Sequence, residues 1–231
     1  MDASARQRAV RLAQISQQLL TEPDERLTLA RITELATQMV AGCDLCGVSL
    51  RRAGGRVETP AATSPLVEEA DALQYALGEG PCLDAIWVDD TYLIEDTTVE
   101  RRWPQWAPKA AALGIGSILS VRLGTTTAVL GGLNLYALRP HAFTGEDVDV
   151  AHLYAAHAAG ALEAAQLVTG LRTALQTRQE IGVAQGILMQ RYGLSTSQAF
   201  EVLRRHSQER NIKLRQVARD VVTDGALPPL G

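Results

Sequence analysis

Apolar positions fall into helical and strand-like periods along most of the chain. Val10, Leu12, Ile15, Leu19 and Leu20 predict an N-terminal helix. Leu27, Leu29, Ile32, Leu35, Met39 and Val40 predict a second helix over 24–41, broken by Gly42. Val48 and Leu50 flank Ser49 in a strand over 45–51, and Gly54-Gly55 reads as a hairpin turn into a strand over 56–59. A helix over 66–77 leads into the turn Gly78-Glu79-Gly80-Pro81, and Pro81 suits the first turn of a short helix through Cys82 and Ala85. A strand over 91–94 and a helix over 103–113, ended by Gly114, follow. Strands over 117–123 and 128–137 form a second hairpin.

Thr144 is a good N-cap, and Glu146 and Asp147 suit the positive end of a helix dipole. The helix they open is long. Val150, Leu153, His157, Gly160, Ala164, Leu167, Leu171 and Ala174 recur at steps of three and four, and the series extends through Arg178, Ile181, Gln185, Leu188 and Tyr192. Two readings fit it: a seam along which two chains pack, or a helix that packs on its own sheet and turns near Gly170. Gly193 then stands as the residue after a helix end, and Ser195-x-x-Gln198 is a capping box for the next helix. Asn211 stops that helix, a third covers 213–222, and Pro228-Pro229 lies in a frayed tail. Ile181, Leu188, Phe200, Leu203, Leu214 and Val217 are the expected core of this three-helix unit.

The pattern predicts an α/β (α+β) domain with a central, mainly antiparallel sheet and flanking helices, followed by an all-α three-helix domain. The expected divisions are an N-terminal helix at 1–23, the mixed domain at 24–168, the helical domain at 169–225 and a tail at 226–231.

Charge sharpens the division. From Leu171 onward nine Arg or Lys face five acids, a net +4, whereas the whole chain is −4. An acidic body with a basic tail implies two modules with different partners. The composition, 46% hydrophobic and 21% charged, is that of a folded soluble chain. There is no apolar run of membrane-spanning length and no secretory signal pattern, which implies a cytoplasmic protein. Three cysteines, Cys43, Cys46 and Cys82, are too few for a disulfide framework.

In the tail, small residues Ala184, Gly186 and Ala199 let helices or a ligand come close, and arginines cluster beside them. Such a surface grips phosphate and accepts an unstacked base. The spacing equally allows a helix-turn-helix DNA reader. The run I-x-x-A-Q-G-I-L-M, then A-F-x-x-L-R-R-x-S, then a helix containing V-A-R-D-V resembles the ANTAR domain, the RNA-binding output domain of bacterial transcription antiterminators, over roughly residues 171–225. Many ANTAR domains read A-K-G where this chain has Ala184-Gln185-Gly186, so one phosphate contact is replaced by an amide. The upstream part resembles a GAF domain over roughly 24–168, through G-V-S-L-R-R, L-G-E-G-P-C-L-D-A, the strands around Ser117 and Leu133-Asn134-Leu135, and F-T-G-E-D-V.

The two resemblances imply an RNA-binding transcription antitermination regulator whose GAF sensor controls ANTAR binding to hairpin loops in nascent leader RNA. They imply a homodimer and a small-molecule ligand or dimerising role for the GAF domain. The N-K-x-x-F-x-x-x-D-E pattern of cyclic-nucleotide-binding GAF domains is not found. The expected RNA-binding residues are Ala184, Gln185, Gly186 and Met189 on one helix, with Arg204, Arg205, Lys213 and Arg215. Ala184, Gln185 and Gly186 are expected to face Arg204 and Arg205 across a loop-sized hollow, with Glu201 as a competing partner for the arginines.

No catalytic residue, metal site or cofactor is expected. Cys43-x-x-Cys46 lacks a second Cys or His pair nearby and reads as a buried pair. Cys82 follows Gly-Glu-Gly-Pro and reads as a structural, partly buried thiol. The alternatives are a GAF-fold thiol enzyme similar to free methionine sulfoxide reductases, with Cys82 attacking and Cys43 or Cys46 resolving, and a DNA-binding regulator.

Overall fold

The computed structural model describes residues 3–227 and divides into two compact units, Met1–Leu167 and Val168–Gly231. The Pro228-Pro229 tail lies outside the described residues. The elements run α1 (Ala3–Thr21), α2 (Glu25–Met39), β1 (Leu45–Arg51), β2 (Val57–Ala62), α3 (Pro65–Leu77), α4 (Pro81–Trp87), β3 (Thr91–Ile94), α5 (Ala107–Ala112), β4 (Ser117–Gly124), β5 (Val129–Ala137), α6 (Gly145–Tyr192), α7 (Thr196–Glu209) and α8 (Leu214–Asp224). Among the described residues, no helix is long and apolar enough to cross a membrane.

In the first unit, five strands pair antiparallel in the order β2-β1-β5-β4-β3. Side chains alternate between two buried faces. Cys46, Val48, Leu50, Leu119, Val121, Leu123, Leu133 and Leu135 pack with Ile32 and Ala36 of α2 and with Tyr154, Ala158 and Leu162 of α6. On the other face Ile118 and Tyr136 pack with Val67 and Ala70 of α3 and with Trp106. Gly131 is required where β5 meets β1, because a Cβ there would run into the Ser49 carbonyl.

Asp24 caps α2 by accepting the Leu27 N–H at 2.9 Å. Gly78 ends α3 with φ 68°, a left-handed conformation that glycine adopts without strain. The expected helix over 103–113 is shorter and begins at Ala107. Pro108 has no N–H to give the Pro104 carbonyl, so a helix from Trp103 would lose a bond in its second turn. In its observed place Pro108 sits in the first turn, where no donor is needed.

α6 is continuous over 48 residues, with no turn at Gly170. Within the first unit its buried positions are Ala151, Tyr154, Ala155, Ala158, Ala159, Ala161, Leu162 and Ala165. Of the series read from the sequence, Val150 is half-buried against this core, whereas Leu153, His157, Gly160, Ala164 and Leu167 lie on the other side and are exposed.

In the second unit, Ala184, Leu188, Ala199, Leu203, Val217, Ala218 and Val221 form a closed core, with Ile181 and Leu214 partly buried against it. Phe200 is not in that core and is 37% exposed. Ala199, Leu203 and His206 define the inward side of α7, and Phe200 points about 100° away from Ala199. Ser195 forms the expected capping box, with its hydroxyl accepting the Gln198 N–H and the Gln198 side chain accepting the Ser195 N–H. Gly193 closes α6 with φ 66°, and Asn211 leaves α7 with φ 51°.

Candidate functional site

The second unit carries all eight expected site residues. Ala184 is fully buried in the three-helix core, so it packs helices and presents nothing to a ligand. The Gln185 amide donates to the Thr196 carbonyl at 3.0 Å, and the Thr196 hydroxyl points to the Met189 sulfur at 3.6 Å. Both side chains are thus engaged at the start of α7. Gly186 is exposed, and a Cβ added there would meet nothing within 4 Å. It borders open space. Of the three residues expected to face Arg204 and Arg205, Ala184 is given over to helix packing and the Gln185 amide to the start of α7, while Gly186 is exposed.

The arginines of α7 have local partners. Arg204 makes a forked contact with the Glu201 carboxylate, at 3.1 Å from Nε and 2.6 Å from Nη2. This holds the Glu201 carboxyl below its ordinary pKa. Arg205 lies 3.8 Å from Glu209. Both pairs are exposed, so each contributes little to stability and a polyanion can compete for the arginine. Lys213 is the N-cap residue of α8 and is exposed, and Arg215 follows in the first turn, half-buried. Neither has an ion-pair partner among the described residues, and Arg210 is exposed beside them.

A second feature of this unit escapes the sequence motifs. A groove of about 440 Å³ runs between α6 and α8, lined by Gln176, Gln179, Glu180, Val183, Arg219 and Val222 among others. Val183 and Val222 are 48% and 43% exposed. Arg219 donates through Nε to both Glu180 oxygens, at 3.1 and 3.0 Å. The available signal was small: both valines are apolar residues one step off the buried stripe of their helices.

The first unit holds a buried polar cluster between the sheet and α3 and α4. Asp71 is fully buried. It accepts from Thr59 Oγ1 at 2.8 Å, Asn134 Nδ2 at 3.2 Å, Gln74 Nε2 at 3.3 Å and Ser49 Oγ at 3.4 Å, and from the Tyr136 hydroxyl. Burial pushes its carboxyl up to about 6 against the opposing pull of these hydrogen bonds. The Tyr75 hydroxyl bonds Ser49 and Thr59, each at 2.6 Å. Gln74 Oε1 accepts the Cys82 N–H at 2.8 Å. The Ser120 hydroxyl and Asn134 Oδ1, on paired positions of β4 and β5, are buried without a partner among the described residues. These groups lie in the core.

All three cysteines are buried and unpaired. Cys82 is wholly buried, further in than the sequence implied. Desolvation raises the Cys43 and Cys82 thiols to about 12 and the Cys46 thiol well above its ordinary value. The thiolate, which is the nucleophile, is therefore suppressed at all three. Among the described residues no group of three His, Cys, Asp or Glu could hold a metal ion.

Comparison with known proteins adds two family matches. The GAF domain family matches residues 22–163, and the ANTAR domain family matches residues 169–222. No curated protein shows significant similarity to the chain. Among solved structures, the GAF domain of a phosphoenolpyruvate-protein phosphotransferase from Coxiella burnetii is 17% identical with a TM-score of 0.56, covering 71% of this chain and 96% of that one. The free methionine-R-sulfoxide reductase of Neisseria meningitidis is 17% identical with a TM-score of 0.55, covering 71% of this chain and 93% of that one. A bacteriophytochrome from R. palustris is 13% identical with a TM-score of 0.61, and its match covers 88% of this chain and 47% of that one. The chain thus spans about half the length of the bacteriophytochrome. At these identities the likeness is one of fold.

Proposed function

Since the chain belongs to the GAF domain family and carries an ANTAR domain after it, we propose that it is a cytoplasmic RNA-binding regulator of transcription antitermination. The observation that carries this reading is the order of the two matches, a GAF domain over 22–163 followed by an ANTAR domain over 169–222. We assign the sensor to 24–168 and the RNA-binding unit to 169–225. The net +4 charge from Leu171 onward supports a polyanionic partner.

The sensor responds to a signal, with a small molecule as its proposed ligand, and changes how two copies of the helical unit are held. The paired units capture hairpin loops of a nascent leader RNA. Binding one RNA fold stabilises it by the difference in affinity between that fold and its competitor, so the terminator hairpin is disfavoured. Arg204, Arg205, Lys213 and Arg215 supply phosphate contacts. A homodimer is supported by the exposed apolar line Leu153, His157, Gly160, Ala164 and Leu167 on α6.

Fluorescence anisotropy with hairpin RNA and duplex DNA at one salt concentration tests this reading. Hairpin RNA is expected to bind more tightly, with a steep salt dependence. Preferential binding of duplex DNA would make the chain a DNA-binding regulator. The thiol-enzyme alternative draws support from the shared fold with the Neisseria reductase, but buried thiols raised to about 12 at Cys43 and Cys82 weigh against a nucleophile here.

A further inference from the structure

We propose that the groove between α6 and α8 is a nucleobase-capture site, which receives one unstacked base of the RNA loop while arginines outside it hold the backbone. This inference rests on the RNA-binding reading above and assigns a new place for base recognition. On the α6–α7 side Ala184 is buried in the helix core and Gly186 has no side chain to grip a base. The α6–α8 side has what a base requires.

Val183 and Val222 give an apolar floor on which the face of a base can lie, and both are too exposed to be core residues. The volume of about 440 Å³ falls in the range of small-ligand clefts. The walls are polar and of mixed kind. Gln179 carries an amide that both donates and accepts. Glu180 receives Arg219 Nε and the Gln176 amide, at 3.3 Å, yet a carboxylate offers about four acceptor positions. It therefore has capacity left for an exocyclic amino group, which favours adenine, cytosine or guanine over uracil.

The charge distribution selects RNA over a second copy of the chain. Glu180 orients the Arg219 guanidinium through Nε, and no described residue is bonded to its terminal nitrogens. Arg215 stands one turn earlier on α8, without an ion pair among the described residues. Arg204 and Arg205 of α7 are also paired with glutamates, as Arg219 is with Glu180. The groove lining itself is balanced, Arg219 against Glu180, but the chain from Leu171 onward carries a net +4, which attracts a phosphodiester to the rim and disfavours a second copy of the same unit.

The test begins with a hairpin selected by the wild-type chain from a pool with randomised loops. Arg219→Ala and Val222→Glu are then measured against that hairpin, with circular dichroism confirming the fold. Each variant is expected to lose about tenfold or more in affinity. Ultraviolet crosslinking of the wild-type chain to the same hairpin, read by peptide mapping, covers the case of a variant that misfolds. Adducts within 176–183 or 219–223 support the proposal. Folded variants that bind within about twofold of wild type overturn it, as do adducts confined to α7. A changed oligomeric state with unchanged RNA affinity overturns it too, making the groove an interface between chains. If selection yields no hairpin at all, the RNA-binding reading itself fails, and that result is distinct from failure of the groove.

Discussion

Asn134 Nδ2 donates to Asp71 Oδ1 at 3.2 Å, tying the centre of β5 to α3 through a carboxyl group with no solvent contact. Among the described residues, no cation is bonded to this carboxyl. The groups around it are Ser49 of β1, Thr59 of β2, Gln74 and Tyr75 of α3, Cys82 of α4, and Asn134 and Tyr136 of β5. Burial dominates, so Asp71 holds its proton in the folded chain up to about pH 6.

This gives a pH prediction. The folded pKa lies above the unfolded one, so the folded state binds more protons between roughly pH 4 and 6. The contribution of Asp71 to stability is full below that window and is lost as pH rises through it. The loss amounts to a few kcal/mol, in order of magnitude. Urea unfolding of wild type and Asp71→Asn at pH 4, 5, 6 and 7 isolates it from other carboxyls. The difference between the two proteins should change steeply between pH 4 and 6. Parallel stability profiles would show that Asp71 is not the titrating group.

The thiols give a second prediction. With Cys43 and Cys82 raised to about 12 and Cys46 fully buried, a disulfide reagent at neutral pH should label none of them in the native state at the rate of a free thiol. Labelling should become complete in denaturant. A single thiol that reacts within seconds in the native chain would reopen the enzyme reading, and Cys82→Ser would identify it.

Much of the architecture was legible because local rules and tertiary packing agree. The ranges of β1 and β3, the Ser195 capping box and the Gly193 helix end follow from alternation, caps and glycine. What was not legible depends on which side of a helix faces inward. Alanine and glycine populate both sides of α6, so the periodic line through Leu153 and Leu167 looked like a packing face. The sheet is instead packed by the side bearing Tyr154 and Leu162. Ala184 illustrates the same ambiguity at the site. A small residue beside a glycine fits a ligand hollow and a close helix contact equally, and only the positions of α7 and α8 decide between them.

Gly186 yields the third prediction. It lies within α6 and a Cβ there meets nothing within 4 Å, so the backbone gains and no contact is lost. Gly186→Ala should stabilise the helical unit by about 1 kcal/mol. Thermal unfolding should show a raised midpoint, with hairpin affinity unchanged. A lowered midpoint would mean that the glycine meets a partner in the functional assembly.

The last prediction concerns assembly. Leu153 and Leu167 are 57% and 64% exposed, and Gly160 and Ala164 between them are small enough for a second backbone to approach closely. Leu171, at the next step of the series, is exposed as well. Apolar side chains recurring at steps of four and three on an exposed helix side lose water when a matching helix covers them. Light scattering should therefore find a dimer at micromolar concentration. Leu167→Glu with Leu171→Glu leaves the monomer's core untouched, since neither residue contributes to it. In the dimer the same change buries carboxylates without partners, at a cost of about 3 kcal/mol or more, so dissociation should strengthen by at least about a hundredfold. The expected result is a monomeric variant with an unchanged circular dichroism spectrum and a weakened grip on hairpin RNA. A wild-type chain that stays monomeric with RNA present and absent would remove this side of α6 as an interface, and the paired capture of loops would fall with it.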